Sequence, residues 1–214
     1  MTSSRPAYQL SLNNVSMSRG RSLLFTDLSF QLSAGHILWV QGDNGIGKST
    51  LLKLCAGLLR PSEGDISWTR AQLPVTANKL VSYQGHEKAL KPTLTVGEDL
   101  TFWAKIYGHN PKKAKEHTKA LEIFQKWDAP ISTLSQGQKQ RTALARLLIS
   151  NRDIWVMDEP WAALDSHSCD IINHMIKAHI QKKGAVILAA HQEPKGFGCP
   201  ARHLRLQTTA QADL

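Results

Sequence analysis

The chain has 214 residues and a formal net charge of +9 at pH 7, and 42% of its residues are apolar and 20% charged. This balance is typical of one globular domain, or one domain with an added lobe, and argues against a disordered or fibrous chain. No apolar run approaches the roughly 18 residues that span a bilayer, and residues 1–6 lack the apolar core of a secretion signal. We therefore expect a cytosolic protein. The positive charge alone leaves nucleic acid, an anionic membrane surface and simple solubility open.

The N-terminal part predicts a small antiparallel sheet. Residues 8–15 alternate between apolar and polar side chains, and residues 24–32 do so again, as half-buried strands do. Ser33-Ala34-Gly35 then predicts a turn, and the apolar residues 36–40 predict a buried strand.

A glycine-rich segment follows this buried strand and fits the pattern Gly, four residues, Gly-Lys-Ser. Glycines let the backbone curl so that several N–H groups point at a polyphosphate, and the helix that begins after them favours an anion. We expect Lys48 to reach the β- and γ-phosphates and the Ser49 hydroxyl to bind Mg²⁺. A plain glycine turn is the alternative, which the strand-loop-helix context disfavours. The predicted phosphate-binding residues are Gly42, Asp43, Asn44, Gly45, Ile46, Gly47, Lys48, Ser49 and Thr50.

The middle of the chain changes from strands to helices. The helix after the phosphate loop is predicted to run to about Leu59, and residues 65–69 and 79–83 predict short strands. From about Glu98 the apolar spacing is helical and continues, after Asn110-Pro111, through residues 120–124. This section is basic, which predicts a solvated helical face, with contact to membrane phosphates or a partner as the alternative. Its lysines are Lys105, Lys112, Lys113, Lys115, Lys119 and Lys126.

The last third alternates helices and strands again. A helix is predicted at residues 139–148, with an apolar stripe and a polar side formed by Lys139, Arg141 and Arg146. Strands are expected at residues 154–159 and 186–190, separated by a helix at residues 170–181, with a short strand at residues 202–207. This alternation favours an α/β fold with a mostly parallel sheet, in which ligands bind at the carboxyl ends of strands.

Two carboxylates end the strand at residues 154–159. We expect Asp158 to share Mg²⁺ with Ser49, and Glu159 to polarise a water for attack on a γ-phosphate. An acidic cap on a strand is common, and this pair becomes informative because a complete phosphate loop precedes it.

The order of these motifs resembles the nucleotide-binding subunits of ABC transporters over nearly the whole chain. The resemblance rests on the phosphate loop, the segment 134–138, Asp158-Glu159, the segment Ala163-Leu164-Asp165, and His191. The signature residues that it implies are Leu134, Ser135, Gln136, Gly137 and Gln138.

Several expectations follow from the resemblance. It implies ATP and Mg²⁺ as ligands and a head-to-tail homodimer, in which Ser135 and Gly137 of one copy face the γ-phosphate held by Lys48 of the other. It assigns Asp165 to a loop that communicates across the dimer. It assigns His191 to the γ-phosphate and the attacking water, although a histidine at a strand end is more often structural. The implied catalytic residues are Lys48, Glu159 and His191.

The implied fold is a single ABC ATPase domain with a P-loop NTPase core. The core and the N-terminal antiparallel β subdomain would comprise residues 1–85 and 148–214, and a helical subdomain would comprise residues 86–147.

This chain departs from the pattern of the ABC family at two places, which points to a smaller group within the family. The family's switch-loop glutamine lies eight residues before Leu94-Thr95-Val96, where this chain has His86, so either His86 or Gln84 takes that role. The usual adenine-stacking aromatic is absent from residues 16–21, where an arginine plane is the substitute.

These departures, with Gly85-His86, His191-Gln192 and the short length, resemble the ATP-binding subunits of the cytochrome c maturation system, or haem exporter ATPases. The implied function is ATP hydrolysis that energises a membrane complex of c-type cytochrome biogenesis, by haem export or haem-chaperone release. The chain would lie peripherally on the cytoplasmic face of the bacterial inner membrane, bound to integral membrane subunits and not to nucleic acid. The alternatives are the ATPase subunit of another small ABC exporter and a soluble ABC ATPase that acts on nucleic acid.

Overall fold

Two β-sheets and six α-helices make up the described part of the structure. The computed structural model describes residues 7–20, 22–191 and 193–207. Residues 1–6, Arg21 and Gln192, on which some of the expectations above fall, lie outside these ranges. The strands are β1 (Tyr8–Arg19), β2 (Ser22–Ser33), β3 (Ile37–Gln41), β4 (Glu63–Arg70), β5 (Leu73–Pro74), β6 (Val81–Gln84), β7 (Ile154–Asp158), β8 (Ala185–Ala189) and β9 (Ala201–Arg205). The helices are α1 (Lys48–Cys55), α2 (Ala77–Leu80), α3 (Val96–Ile106), α4 (Pro111–His117), α5 (Gln136–Ser150) and α6 (Ser166–Gln181).

The N-terminal sheet is antiparallel, as predicted, and has the order β2-β1-β4-β5 in the described part of the chain. Leu10 pairs with Leu32 on one side and with Trp68 on the other. Tyr8, Leu10 and Leu12 are buried because alternate residues of β1 face the core.

The second sheet is parallel and places the candidate site. Its order in the described residues is β6-β7-β8-β3-β9, so strands distant in sequence lie side by side. Because these strands run in the same direction, the residues that follow β3, β6, β7 and β8 meet at one edge. That edge brings together the phosphate loop, Gln84, Asp158 and His191.

The central strands of the parallel sheet, β7, β8 and β3, are buried on both faces. Leu38 and Val40 face a core that contains α1 and the antiparallel sheet, whereas Ile37 and Trp39 face the core formed with α5 and α6. This explains why the strands read as continuous apolar runs without alternation. Within the described residues, no helix is both long enough and apolar enough to cross a lipid bilayer.

The first helix is shorter than predicted. It ends at Cys55, because Gly57 lies at φ 70 and starts a Schellman motif instead of continuing the helix to Leu59. In this motif the Gly57 N–H donates to the Leu54 carbonyl (2.9 Å) and the Leu58 N–H donates to the Lys53 carbonyl (2.9 Å).

Two further predictions about elements were wrong, and the start of a predicted strand was misplaced by two residues. Lys79 lies in the short helix α2, and strand β6 begins only at Val81. Residues 119–121 and 124–126 form 3₁₀ turns, because Glu122 between them adopts a left-handed conformation (φ 52) that interrupts an α-helix. The side of α5 that was predicted to be polar is not fully exposed to solvent, because Arg141 and Arg146 are buried. The remaining elements match with bounds shifted by a few residues. The proposed bounds of the helical subdomain, residues 86–147, stay a prediction.

A glycine in β4 tests the packing of the antiparallel sheet. Replacing Gly64 with alanine is expected to lower the free energy of unfolding by roughly 2–3 kcal/mol. Gly64 has φ +77, and an added Cβ would lie 2.2 Å from the Asn14 carbonyl oxygen and 2.5 Å from that of Asn13. Gly108→Ala is the matched control, since Gly108 has φ +72 but no heavy atom within 4 Å of its added Cβ. Chemical denaturation measures both variants. Equal losses would show that backbone strain alone acts and would contradict the contact argument.

Candidate functional site

The phosphate loop joins β3 to α1 and has the shape of an anion cradle. Gly42, Gly45 and Gly47 have φ values of 153, 81 and 111, in the range that glycine tolerates. At Gly42 the space is also tight, since a Cβ would lie 2.9 Å from the Ile46 Cγ2 and 3.0 Å from the Leu206 carbonyl oxygen. The sequence pattern therefore corresponds to a conformational requirement at these positions.

The open end of helix α1 faces this loop. Its N-cap is Gly47, which provides no side-chain hydrogen bond, so the first N–H groups of the helix are left for another acceptor. Lys48 folds back over the loop, and its Nζ donates to the carbonyl oxygens of Gly42 (2.7 Å) and Asp43 (3.0 Å). N–H donors and an ammonium group thus converge where a phosphate chain would lie.

Asp158 ends β7 with an unsatisfied carboxylate oxygen. The residue is 4% exposed, and its Oδ2 is buried without a hydrogen-bond partner in the described structure. Ser49 and Gln84 line the same cavity as Asp158. Burial, and then the negative charge of Asp158, raise the pKa of Tyr83 to about 12. A buried carboxylate oxygen without a partner is costly, and a divalent cation would satisfy it.

This donor set fits Mg²⁺. The ion takes oxygen ligands and is usually held by one or two protein groups together with phosphates and waters. A hydroxyl from Ser49 and a carboxylate from Asp158 supply two such oxygens beside the phosphate loop.

Glu159 lies next to Asp158 in an unusual backbone conformation. Its φ is 51, and its N–H donates to the Ala189 carbonyl oxygen at 3.0 Å, which fixes it against β8. A non-glycine residue held in this region is strained, and such strain is common at functional sites. The side-chain Oε1 lies 3.6 Å from Nε2 of His191, whose side chain is 69% exposed.

Several neighbours act on the proton affinity of Glu159. Burial raises the pKa of Glu159 above its usual value, His191 opposes this, and Asp158 raises it further. Lys48 and His86 act in the lowering direction. A carboxylate with a raised pKa beside a phosphate site can accept a proton from water more readily than an ordinary glutamate can.

Both candidates for the switch loop line the cavity that contains Ser49 and Asp158. Gln84 is buried at the end of β6, and its Nε2 donates to the Gly85 carbonyl oxygen at 2.9 Å. His86 is exposed and close enough to Glu159 to lower its pKa. Which of the two senses a phosphate stays a prediction.

The signature segment forms the start of α5. Ser135 is the N-cap of this helix, with its Oγ accepting from the Gln138 N–H (3.2 Å) and its own N–H donating to the Gln138 Oε1 (3.0 Å). This reciprocal pair is a capping box, so the helix opens at Ser135, a few residues before its predicted start at residue 139. Among described residues, those that line the cavity with Ser49 and Asp158 do not include Ser135.

The signature segment packs against the segment that contains Asp165. An added Cβ on Gly137 would lie 2.6 Å from the Ser168 Oγ, so the two helix ends are in close contact. Asp165 is the N-cap of α6, and its Oδ1 accepts from the Ser168 N–H at 2.6 Å. Hydrogen bonds from Ser168 lower the pKa of Asp165, so it carries its negative charge at neutral pH.

The end of the β1–β2 hairpin lies near the phosphate loop. An added Cβ on Gly47 would lie 3.3 Å from side-chain atoms of Leu24 and Phe25. Arg19 is exposed at the end of β1, while Arg21 lies outside the described residues. That an arginine plane stacks on the adenine therefore stays a prediction.

Sequence reasoning missed two buried polar residues of this region. Gln140 donates through its Nε2 to the Pro160 carbonyl oxygen (3.1 Å), one residue after Glu159. Arg146 forms a buried ion pair with Asp99. A signal was present, because both residues lie on the helix that begins with the signature serine.

Comparisons with known proteins give matches in both sequence and fold. The sequence profile of the ABC transporter family matches residues 25–162. The "Cytochrome c biogenesis ATP-binding export protein CcmA" of Rhizobium johnstonii is 40% identical over 81% of this chain and 84% of its own. The protein of the same name from Haemophilus influenzae is 35% identical over 92% of this chain and 93% of its own. Among solved structures, the dimeric structure of MJ0796, a bacterial ABC transporter cassette, superposes with a TM-score of 0.79 at 24% identity over 92% of this chain and 94% of that one.

Proposed function

Because the chain belongs to the ABC transporter family and is an ATPase of that family, we propose that it energises a membrane complex of c-type cytochrome biogenesis. The work of that complex would be haem export or the release of a haem chaperone. The biological setting rests on the name of relatives that match most of the chain. The chemistry rests on one observation: Ser49 of the phosphate loop and Asp158 line one cavity at the edge of the parallel sheet, and Glu159 follows Asp158 within electrostatic reach of Lys48.

The proposed reaction is in-line attack of water on the γ-phosphorus of ATP, in which the bond to the β–γ bridging oxygen breaks and ADP and phosphate are released. The phosphate loop and Lys48 bind the phosphates through backbone N–H groups and an ammonium group. Ser49 and Asp158 would hold Mg²⁺, which would neutralise negative charge of the triphosphate when bound. Glu159 orients the water and accepts its proton, and His191 donates a hydrogen bond to the γ-phosphate. The 3.6 Å between Nε2 of His191 and Oε1 of Glu159 is compatible with both side chains acting on one water.

The active form would be a head-to-tail homodimer. Ser135 does not line its own subunit's cavity among the described residues, so its helix end is available to close over a triphosphate held by a second copy. MJ0796, which shares the fold, has a dimeric structure. Asp165 lies beside the signature segment, where it would contact the partner copy.

The proposed partners are integral membrane subunits on the cytoplasmic face of the bacterial inner membrane. The chain would bind them peripherally, and no binding to nucleic acid is expected despite the net charge of +9. Exposed apolar side chains at Phe102 and Ile106 of α3 provide surface for such contacts.

Deletion and rescue in the source cell tests the cytochrome assignment. Removing the protein is expected to abolish haem-stained c-type cytochromes, and restoring the wild-type chain is expected to bring them back. Lys48→Ala should fail to rescue because it removes the ammonium that lies over the phosphate loop and would bind the phosphates. Normal c-type cytochromes in the deletion strain would instead favour another small exporter.

Affinity capture from membranes tests the remaining alternative, a soluble ABC ATPase that acts on nucleic acid. Glu159→Gln should hold ATP in a closed dimer and bring down integral membrane proteins. Recovery of ribosomes or DNA in their place, lost steeply as salt increases, would contradict the transporter assignment.

A further inference from the structure

Arg146 lies in the third turn of α5, and its buried guanidinium donates four hydrogen bonds. Its Nε donates to Oδ2 of Asp99 (3.0 Å) and its Nη2 donates to Oδ1 (2.6 Å), a bidentate pair. The side chains of Arg146 and Asp99 are 8% and 5% exposed. The guanidinium also lies 4.9 Å from the ring centroid of Trp103. These contacts fix the plane of the guanidinium.

The same guanidinium holds the loop that follows β6. Its Nη1 donates to the Lys88 carbonyl oxygen (3.1 Å) and its Nη2 donates to that of Ala89 (3.2 Å). Ala89 has φ 49, a conformation that a non-glycine residue keeps only when its surroundings impose it. Within the described part of the chain, residues 86–90 make no hydrogen bond other than these two. Arg146 is therefore the main polar tether of this loop.

The tethered loop belongs to the nucleotide site. Gln84 and His86 precede the two bound carbonyls, and both line the cavity that contains Ser49 and Asp158. Arg146 lines that cavity as well, on the wall formed with Trp103 and Tyr107. A change at the γ-phosphate that moves Gln84 would reach Arg146 along the backbone, because Lys88, whose carbonyl Arg146 binds, lies four residues after Gln84.

The other end of the helix carries the signature serine. Helix α5 is continuous from Gln136 to Ser150, so Arg146 lies about 16 Å along it from Ser135. Gln140, between them, bonds to the carbonyl that follows Glu159. A displacement of α5 at Arg146 is transmitted along a rigid element and not through a flexible chain.

We propose that Arg146 is a positioning residue that fastens the switch loop, residues 84–90, to α5, so that nucleotide bound in one subunit sets the position of the same subunit's Ser135. The proposal rests on the proposed function, because it assigns Ser135 to the partner's triphosphate. A buried ion pair is a poor means of stabilisation, since apolar residues of equal volume often serve as well. The four directed hydrogen bonds of Arg146 instead specify one geometry between the loop and the helix.

Two substitutions separate the loop contacts from the ion pair. Arg146→Lys keeps a positive charge for Asp99, but an ammonium lacks the planar fork that reaches Asp99 and both carbonyls together. Asp99→Asn removes the charge of the partner while leaving Arg146 in place to bond Lys88 and Ala89. Leu121→Ala, which removes buried apolar volume outside residues 84–90, is the control for loss of stability alone.

Hydrogen exchange on the diluted protein, with and without Mg²⁺ and ATP, reads the coupling within one subunit. In the wild type and in Asp99→Asn, ATP is expected to slow exchange in residues 84–90 and to change it in residues 135–140. In Arg146→Lys the change should persist in residues 84–90 and disappear in residues 135–140. The proposal would be overturned if ATP still changed exchange in residues 135–140 of Arg146→Lys. It would also be overturned if Leu121→Ala lost that change to the same degree as Arg146→Lys.

Steady-state kinetics give the second readout. Arg146→Lys is expected to lower kcat by about 10- to 100-fold with KM for ATP nearly unchanged, because a misplaced group far from the chemistry acts on the transition state. Asp99→Asn should retain more of kcat than Arg146→Lys even if its melting temperature is lower. The reverse order would mean that the pair serves stability only and would overturn the proposal. If the wild type neither hydrolyses ATP nor changes its exchange with ATP, the proposed function fails first, and the role of Arg146 falls with it.

Discussion

Replacing Glu159 with glutamine is expected to lower kcat for ATP hydrolysis by about 100- to 1000-fold while ATP still binds. Glutamine has nearly the shape of glutamate, so the strained backbone (φ 51) and the hydrogen bond from its N–H to Ala189 should persist. What is lost is a carboxylate, with a pKa that burial raises, at the place where water would attack. Removing its charge beside Asp158 also lessens repulsion of a triphosphate, so the affinity for ATP should rise or stay constant.

Glu193→Gln is the matched control for this experiment. Glu193 is an exposed glutamate that lies in one cavity wall with Glu159 and pairs with Lys195 at 3.1 Å. Its substitution makes the same chemical change close to the site, and its kcat should remain near that of the wild type. ATP hydrolysis and binding of a fluorescent nucleotide are measured for both variants. A kcat for Glu159→Gln within a few-fold of the wild type would assign proton acceptance to another group.

The core of the fold could be predicted because its signals are local. The glycine spacing of the phosphate loop requires the backbone angles found at Gly42, Gly45 and Gly47. Apolar runs such as residues 36–40 and 154–158 read as strands buried on both faces, and the parallel sheet and the family were confirmed. Once the strands are parallel, the residues that follow them share an edge, so the positions of Asp158 and His191 follow from topology.

The wrong predictions have causes that local patterns hide. The end of α1 depends on the left-handed Gly57, although a glycine at this place could have been identified from the sequence as a helix-ending residue. The left-handed Glu122 carries no such signal. The burial of Arg146 depends on Asp99, which lies 47 residues away, and on two loop carbonyls. A helical wheel places an arginine on the polar side of α5, and only the tertiary structure shows that this side is covered.

A nucleotide site shared between two copies predicts a second large effect, the recovery of ATP hydrolysis when two inactive variants are mixed. Lys48→Ala and Ser135→Asp are each expected to lose ATP hydrolysis by about 100-fold or more, since each removes or opposes charge stabilisation at the γ-phosphate. Aspartate is a good N-cap, so Ser135→Asp should preserve the start of α5 while placing a negative charge against the partner's triphosphate. Ser135→Asn, which caps the helix without the charge, is the control and should lose much less activity.

Mixing the two variants in equal amounts is expected to restore about a quarter of the wild-type rate, because half of the exchanged dimers are mixed. In a mixed dimer, one site combines both lesions, while the other combines the intact Lys48 of one chain with the intact Ser135 of its partner. The restored rate should also fall on dilution as dimers dissociate. If Lys48 and Ser135 served the same subunit's nucleotide, every chain in the mixture would carry a damaged site and no activity would return. The measurement therefore distinguishes a site shared between copies from one built within a single chain, and it does so without knowledge of the membrane partner.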